Sequence, residues 1–389
     1  MSKITTFVNT YTKDLKADDL QRLFTRDTRE AYKFFTRGVD ADALQGLPWH
    51  KRAVAHVRVL FVAFTMKLSP ARRIVFAAAF VFAFIGMVNL FRGIGVIDVA
   101  ALPFGMSLGV PGPMFRQGTW SLLIAFGLMN LLVLLEVADR LSLKNDLEIA
   151  RDIQQAMLPS GVYSAPGVET VGMSRPANTV GGDFYDILPL DDGRLVVTLG
   201  DVAGKGSPAA LLMALSLAML RTLVDERLEA ADLVTRLNVQ VCRHSPGTRF
   251  ITLFYGVFKP ATGELTYVSA GHTPPLVLRV DGRCEKLSDG GIALGMFDHS
   301  TYTPGRTMIE PGELIAIYSD GITEAENPRG VPFDEAGLET ALKHNHRQSL
   351  SAVGAAVVRA VEQYSMDTRL ADDLTILLLR RTTAGTAHV

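Results

Sequence analysis

Cysteine is scarce in this chain. Only Cys242 and Cys284 are present, far apart and without CxxC spacing, which excludes a disulfide framework or a cysteine zinc site and points to a reducing cytosol for the globular part. Net charge is nearly absent as well. Lys plus Arg number 39 against 40 Asp plus Glu, so bulk charge gives no hold on nucleic acid and no nucleic-acid partner is expected. Charged residues make up only 20% of the chain and hydrophobic ones 48%, a balance that suggests a membrane portion joined to a globular one. The N-terminal stretch MSKITTFVNTYTKDLK has no apolar core and does not read as a signal peptide.

The apolar residues are concentrated. Residues 1–73 read as a polar, helix-rich cytoplasmic region of short amphipathic helices. Ile74 to Phe91 and Gly118 to Leu135 are uncharged and long enough to cross a bilayer, so residues 74–137 are read as two transmembrane helices with a short Gly/Pro-rich loop. Lys51, Arg52, Arg58, Lys67, Arg72 and Arg73 precede the first span, whereas the loop carries only Arg92 and Arg116. The basic side faces inward, which places both termini in the cytoplasm and the chain in the inner membrane as a multi-pass protein. The second span continues without a Gly or Pro break into residues 138–161, a linker helix whose apolar positions, Leu141, Leu143, Leu147, Ile149, Ile153 and Met157, fit pairing with another helix and a homodimer. Pro159 and Gly161 stop it.

From Val162 to Thr383 the period changes. Short β-branched and aromatic runs, among them RLVVTLGDV, RFITLFYGVF, ELTYVSAG, ELIAIYSDG and LTILLLR, alternate with turn signals such as Asp192-Gly193 and Asp281-Gly282. At least two helical stretches intervene: one opening with Ser207 as N-cap and Pro208 in first position, another around SLSAVGAAVVRAVEQY. Strands in runs with helices grouped between them predict an α+β domain over residues 162–383, followed by a disordered tail at 384–389.

Aspartates mark the strand ends. Asp183 follows Gly181-Gly182, Asp201 ends LVVTLGD, Asp320 ends LIAIYSD, and Asp372-Asp373 precede LTILLL. Taken singly, each is an ordinary Asp turn. Taken together, carboxylates converging at one end of a packed sheet would repel one another unless a hard divalent cation with oxygen ligands held them.

The segments VGGDFYD, GDVAGKGSPAALLMA, SAGHTPPLVL, IYSDGITEAEN and DDLTILLL, in this order, resemble the PPM superfamily of metal-dependent protein phosphatases, and within it the bacterial SpoIIE/RsbU-like serine phosphatases. LEIARDIQQAMLPSG resembles the linker helix that leads into that domain. The resemblance implies a β-sandwich flanked by helices, preceded here by the linker helix and two transmembrane helices, with two divalent cations, Mn2+ or Mg2+, at one end of the sandwich. Carried over by position, Asp201 bridges the two cations, the backbone carbonyl of Val202 binds one, Asp320 and Asp372 bind the second, and Asp183 holds bound water or touches a metal. Asp373 is the substitute for Asp372, and Arg175 is the candidate for phosphate binding.

The implied activity is hydrolysis of phosphoserine or phosphothreonine by metal-activated water, without a covalent intermediate. A chain lacking CxxxxxR agrees with that. The implied partner is a phosphoprotein, in this family often an anti-sigma-factor antagonist. The competing reading is an inactive PPM-fold scaffold or binding module. One departure stands out. The position two after Asp201, where some members carry a proposed general-acid His, is Ala203, so no general acid is assigned. His272 reads as a turn histidine, and GKGS around Lys205 lacks Walker spacing.

Overall fold

The computed structural model describes Pro48, Thr65 and residues 68–92, 94–102, 106–113, 119–245, 249–366 and 370–383. Most of the expected N-terminal helical region and the 384–389 tail lie outside these residues. The chain divides into two compact units, Met1–Ser142 and Leu143–Val389.

In the first unit, helix α1 (Pro70–Arg92) and the start of α2 (Thr119–Met157) contain both expected spans. Each leaves large apolar side chains uncovered: Ile74 and Phe84 on α1, and Trp120, Phe126 and Leu134 on α2. That is the surface a lipid-facing helix presents. The connecting segment, read above as a Gly/Pro-rich loop, contains an antiparallel hairpin of β1 (Ile94–Leu102) and β2 (Met106–Pro113). Its IGVIDVAAL run favours strand over coil. Arg72 pairs with Glu136 and Asp139 of α2, at 3.3 and 2.7 Å.

The second unit begins within the same uninterrupted α2, as the sequence predicts. Its strands are β3 (Val162–Ala165), β4 (Val168–Arg175), β5 (Phe184–Pro189), β6 (Leu195–Val202), β7 (Ile251–Lys259), β8 (Glu264–Ala270), β9 (Leu276–Leu278), β10 (Cys284–Lys286), β11 (Gly290–Gly291), β12 (Gly305–Met308), β13 (Leu314–Tyr318) and β14 (Leu374–Arg381). Its helices are α3 (Ser207–Asp225), α4 (Ala230–His244), α5 (Asp320–Thr323), α6 (Asp334–Asn345) and α7 (Leu350–Tyr364). One sheet has the order β10-β9-β13-β14-β4-β3. The other runs β11-β8-β7-β6-β5, with β12 also on β8.

Side-chain alternation decides the layering. Leu195, Val197 and Leu199 of β6 point between the sheets and meet Ile315 and Ile317 of β13 and Leu377 and Leu379 of β14. Their alternates face outward. Val196 and Val202 pack under Leu217, Leu220, Leu233 and Leu237 of α3 and α4. Ile376 and Leu378 pack under Leu342, Val353 and Val357 of α6 and α7. Helix pairs therefore cover both outer faces of a β-sandwich, the α+β architecture expected. Helix α3 is long and apolar enough by composition to cross a membrane, as are α1 and α2, but its apolar residues build the core under β6. One local expectation fails. The N-cap of α3 is Gly206, at φ +76°, with no side-chain cap, and Ser207 is already helical.

Candidate metal centre

Antiparallel pairing brings the strand-end aspartates to one end of the sandwich. Phe184 at the start of β5 pairs with Gly200 near the end of β6, which places Asp183 beside Asp201. Tyr318 at the end of β13 pairs with Ile376 near the start of β14, which places Asp320 beside Asp372 and Asp373. Gly321 permits the last approach: a Cβ there would lie 2.0 Å from the Asp373 carbonyl oxygen. Ser319 completes the seam. Its N–H donates to the Thr375 carbonyl at 3.0 Å, and its hydroxyl donates to the Asp373 carbonyl at 3.1 Å and accepts from the Thr375 N–H at 3.0 Å.

The electrostatics record a surplus of negative charge. Asp183 is buried, its Oδ2 has no hydrogen-bond partner, and its carboxyl is held well above the usual range by burial first and then by Asp201 and Asp373. Burial, then Asp320, pushes Asp201 up to about 6, partly offset by a hydrogen bond with Asp183. Asp320 is raised by burial, Glu324 and Asp372. The Val202 carbonyl oxygen faces the same space, 2.9 Å from where a Cβ on Gly182 would sit, and Asp201 Oδ1 lies 3.5 Å from that point. These are hard oxygen donors, with one orphaned buried oxygen among them, and they suit Mg2+ or Mn2+. Among the described residues no three acidic, His or Cys side chains yet converge closely enough to hold an ion as they stand.

The two adjacent aspartates do different work. Asp373 is buried and its carboxylate is engaged by backbone: Oδ1 accepts the Ala177 N–H at 2.8 Å, and Oδ2 accepts that of Gly182 at 2.6 Å and of Asp183 at 3.4 Å. It organises the loop that carries Asp183. Asp372 is half-exposed and meets Lys205 Nζ at 2.9 Å, while that ammonium also donates to the Ala371 carbonyl at 2.5 Å. Both line a cleft of about 440 Å³ with Gly321, Glu324 and Asn327. Arg175 ends β4 opposite Leu374, with its guanidinium paired to Glu362 of α7.

Several contributors escape a reading of the sequence. Arg249 Nη1 donates to the Ala203 carbonyl at 3.0 Å and braces the loop after Asp201. His272 is buried beside the site, its Nδ1 2.9 Å from the Thr252 hydroxyl, and Thr252 lies opposite Asp201 on β7. Burial pushes the imidazole down to about 4, which keeps it neutral. Asp186 is buried and paired with Arg221 at 2.7 Å. A lone arginine or threonine carries no periodic signal, so only the fold reveals these contacts.

The sequence model of the family described as Stage II sporulation protein E (SpoIIE) matches residues 191–382. Phosphoserine phosphatase RsbU of Bacillus subtilis (strain 168) is 28% identical over 240 residues, covering 61% of this chain and 71% of that protein. Protein IcfG of Synechocystis sp. (strain ATCC 27184 / PCC 6803 / Kazusa) is 31% identical over 241 residues, covering 55% of this chain but only 38% of its own length. Among solved structures, the SiaA PP2C domain of Pseudomonas aeruginosa superposes with a TM-score of 0.54 at 21% identity, over 62% of this chain and 98% of that one. The PP2C phosphatase domain of Bacillus subtilis SpoIIE, with a fragment of its regulatory domain, gives 0.50 at 16% identity, over 56% of this chain and 64% of that one.

Proposed function

The chain carries a PP2C-type phosphatase domain of the SpoIIE family, and from that premise we propose that it is a metal-dependent phosphoprotein phosphatase held at the membrane. The observation that carries the reading is the gathering of Asp183, Asp201, Asp320 and Asp372 at one end of the sandwich, with a buried carboxylate oxygen left without a partner. Asp183, Asp201, the Val202 carbonyl, Asp320 and Asp372 would hold two divalent cations, Mn2+ or Mg2+. When bound, such cations supply a water nucleophile at neutral pH and neutralise charge on a phosphoryl group.

The chain's own groups do the rest. Asp373 fixes the peptides around Asp183. Lys205, at the edge of the cleft, is paired with Asp372; with Asp372 holding an ion, its ammonium would be left to meet an entering phosphate. Arg175 is the second phosphate-binding candidate, its guanidinium already engaged by Glu362. His272 is buried and neutral, and Ala203 offers no proton, so neither serves as general acid.

The substrate is read as phosphoserine or phosphothreonine in a protein, because RsbU carries the name phosphoserine phosphatase. An anti-sigma-factor antagonist is the class that the SpoIIE resemblance favours. Helices α1 and α2 would anchor the chain in the inner membrane, with the phosphatase in the cytoplasm. Leu141, Leu143, Ile149 and Ile153 remain exposed on α2, where a second copy would pair as a homodimer.

The test is phosphate release from a phosphoserine protein by the full chain in detergent. Release should need Mn2+, stop with chelator, and fall about 100-fold or more in Asp201→Asn. Turnover that ignores metal and Asp201 would sink the reading. A folded full chain with no turnover under any condition would favour the binding-module alternative.

A further inference from the structure

Two adjacent glutamines near the end of α2 have opposite surroundings. Gln155 is exposed, whereas Gln154 is 7% exposed. The Gln154 carboxamide closes two hydrogen bonds with a single backbone residue: its Nε2 donates to the Gly181 carbonyl at 2.7 Å, and its Oε1 accepts the Gly181 N–H at 3.0 Å. A side chain paired in this way mimics a neighbouring strand and satisfies both polar groups of a buried peptide. From the opposite side Asp373 Oδ2 accepts the next N–H, that of Gly182, and a Cβ on Gly181 would lie 2.4 Å from the same oxygen. The Gly181-Gly182 segment is therefore clamped between a helix side chain and the carboxylate that immediately precedes β14, one residue before Asp183.

Two further contacts from the same helix end land on the other flank of Asp183. The Tyr185 hydroxyl donates to the Pro159 carbonyl at 2.8 Å. Arg221 donates from Nη2 to the Met157 carbonyl at 2.7 Å while its Nε holds Asp186 at 2.7 Å. Directly, or through Arg221, the helix end is thus tied to residues 181–186.

We propose that Gln154 is a positioning residue for Asp183, and that the last turns of α2 are thereby part of the metal centre. The inference rests on the metal-site reading above. A helix advances about 5.4 Å per turn. An axial slip of one turn would carry both carboxamide bonds beyond hydrogen-bonding distance and free the loop that holds Asp183. The axial position of α2 and the placement of Asp183 are thus one variable.

The test measures Mn2+ binding by titration calorimetry, without substrate, on the full chain in detergent. The variants are Gln154→Met, which keeps size and loses both hydrogen bonds, Gln154→Asn, which keeps the chemistry and loses reach, and the exposed control Gln155→Met. Partners that orient metal ligands typically contribute about 10- to 100-fold in affinity, and a loss of that size is expected for both Gln154 variants and not for the control. Hydrogen exchange supplies a second readout: amides of residues 181–183 should exchange faster in the Gln154 variants, while those of β7 in the core keep their protection. Wild-type affinity and unchanged exchange in both Gln154 variants would overturn the proposal, as would general loss of protection that includes β7, which would mark Gln154 as a plain folding residue. If the wild-type chain itself binds no Mn2+, the metal-site reading fails first and takes this inference with it.

Discussion

Removing the Asp201 carboxylate should stabilise the domain in the absence of metal. The perturbation is Asp201→Asn in residues 143–389, a unit with its own cores. Burial and Asp320 hold the Asp201 carboxyl near 6 in the folded chain, against 3.8 for an unperturbed aspartate. Between those values the folded state binds more protons than the unfolded one, so stability is lost as pH rises through about 4 to 6 and stays lost above. The gap is about two pH units at about 1.4 kcal/mol each, or about 3 kcal/mol at pH 7. Asparagine removes that cost. In a domain of this size it corresponds to a rise of about 6–12 °C in unfolding temperature. The gain should shrink to about half at pH 5 and vanish below pH 4. Mn2+ should reverse the ranking once it reaches about 1,000 times its dissociation constant, where it adds about 4.1 kcal/mol to the wild-type domain alone. Thermal unfolding at pH 4, 5 and 7, with and without Mn2+, reads all of this. A variant less stable than wild type at pH 7 without metal, or a difference that does not change with pH, would refute the reasoning.

Other outcomes follow from neighbouring contacts. Asp373→Ala should cost about 3 kcal/mol in urea unfolding, because it orphans the N–H groups of Ala177, Gly182 and Asp183; Asp372→Asn, half-exposed, should stay within about 0.5 kcal/mol. Arg221→Met leaves the buried carboxylate of Asp186 without its cation and should cost about 3–5 kcal/mol by the same measurement. For His272 the folded value of about 4 lies below the ordinary 6.5. The unfolded chain takes up the proton first on acidification, so stability is lost as pH falls from about 6.5 to 4, by up to about 3 kcal/mol. Replacing His272 with Gln should flatten that part of the unfolding-versus-pH curve relative to wild type.

Much of this architecture is legible in residue patterns. The β-branched runs of β6, β7, β8, β13 and β14 are strands, the uninterrupted α2 joins a span to a linker, and the strand-end aspartates share one end of the sandwich. What stayed hidden has identifiable causes. The strands β3 and β4 are carried by VYSA and VETVGMSR, where polar residues and a glycine dilute the alternation and pairing with β14 decides the outcome. Helix α4 was detectable, since Leu233, Val234, Leu237 and Val241 recur at helical spacing. The division of labour between Asp372 and Asp373 was not, because it depends on where the amides of Gly182 and Asp183 arrive from a segment about 190 residues earlier. Gln154 was hidden for the same reason. Beside Gln155 it is one of two identical letters, and only the docking of α2 on the Gly181 loop distinguishes them.

The most direct measurement is an anomalous difference map from crystals of residues 143–389 grown with Mn2+. The account predicts peaks among Asp183, Asp201, the Val202 carbonyl, Asp320 and Asp372, with Asp373 still bound to backbone amides and Lys205 turned away from Asp372. A map with manganese elsewhere, or with Asp373 rather than Asp372 on the ion, would contradict it.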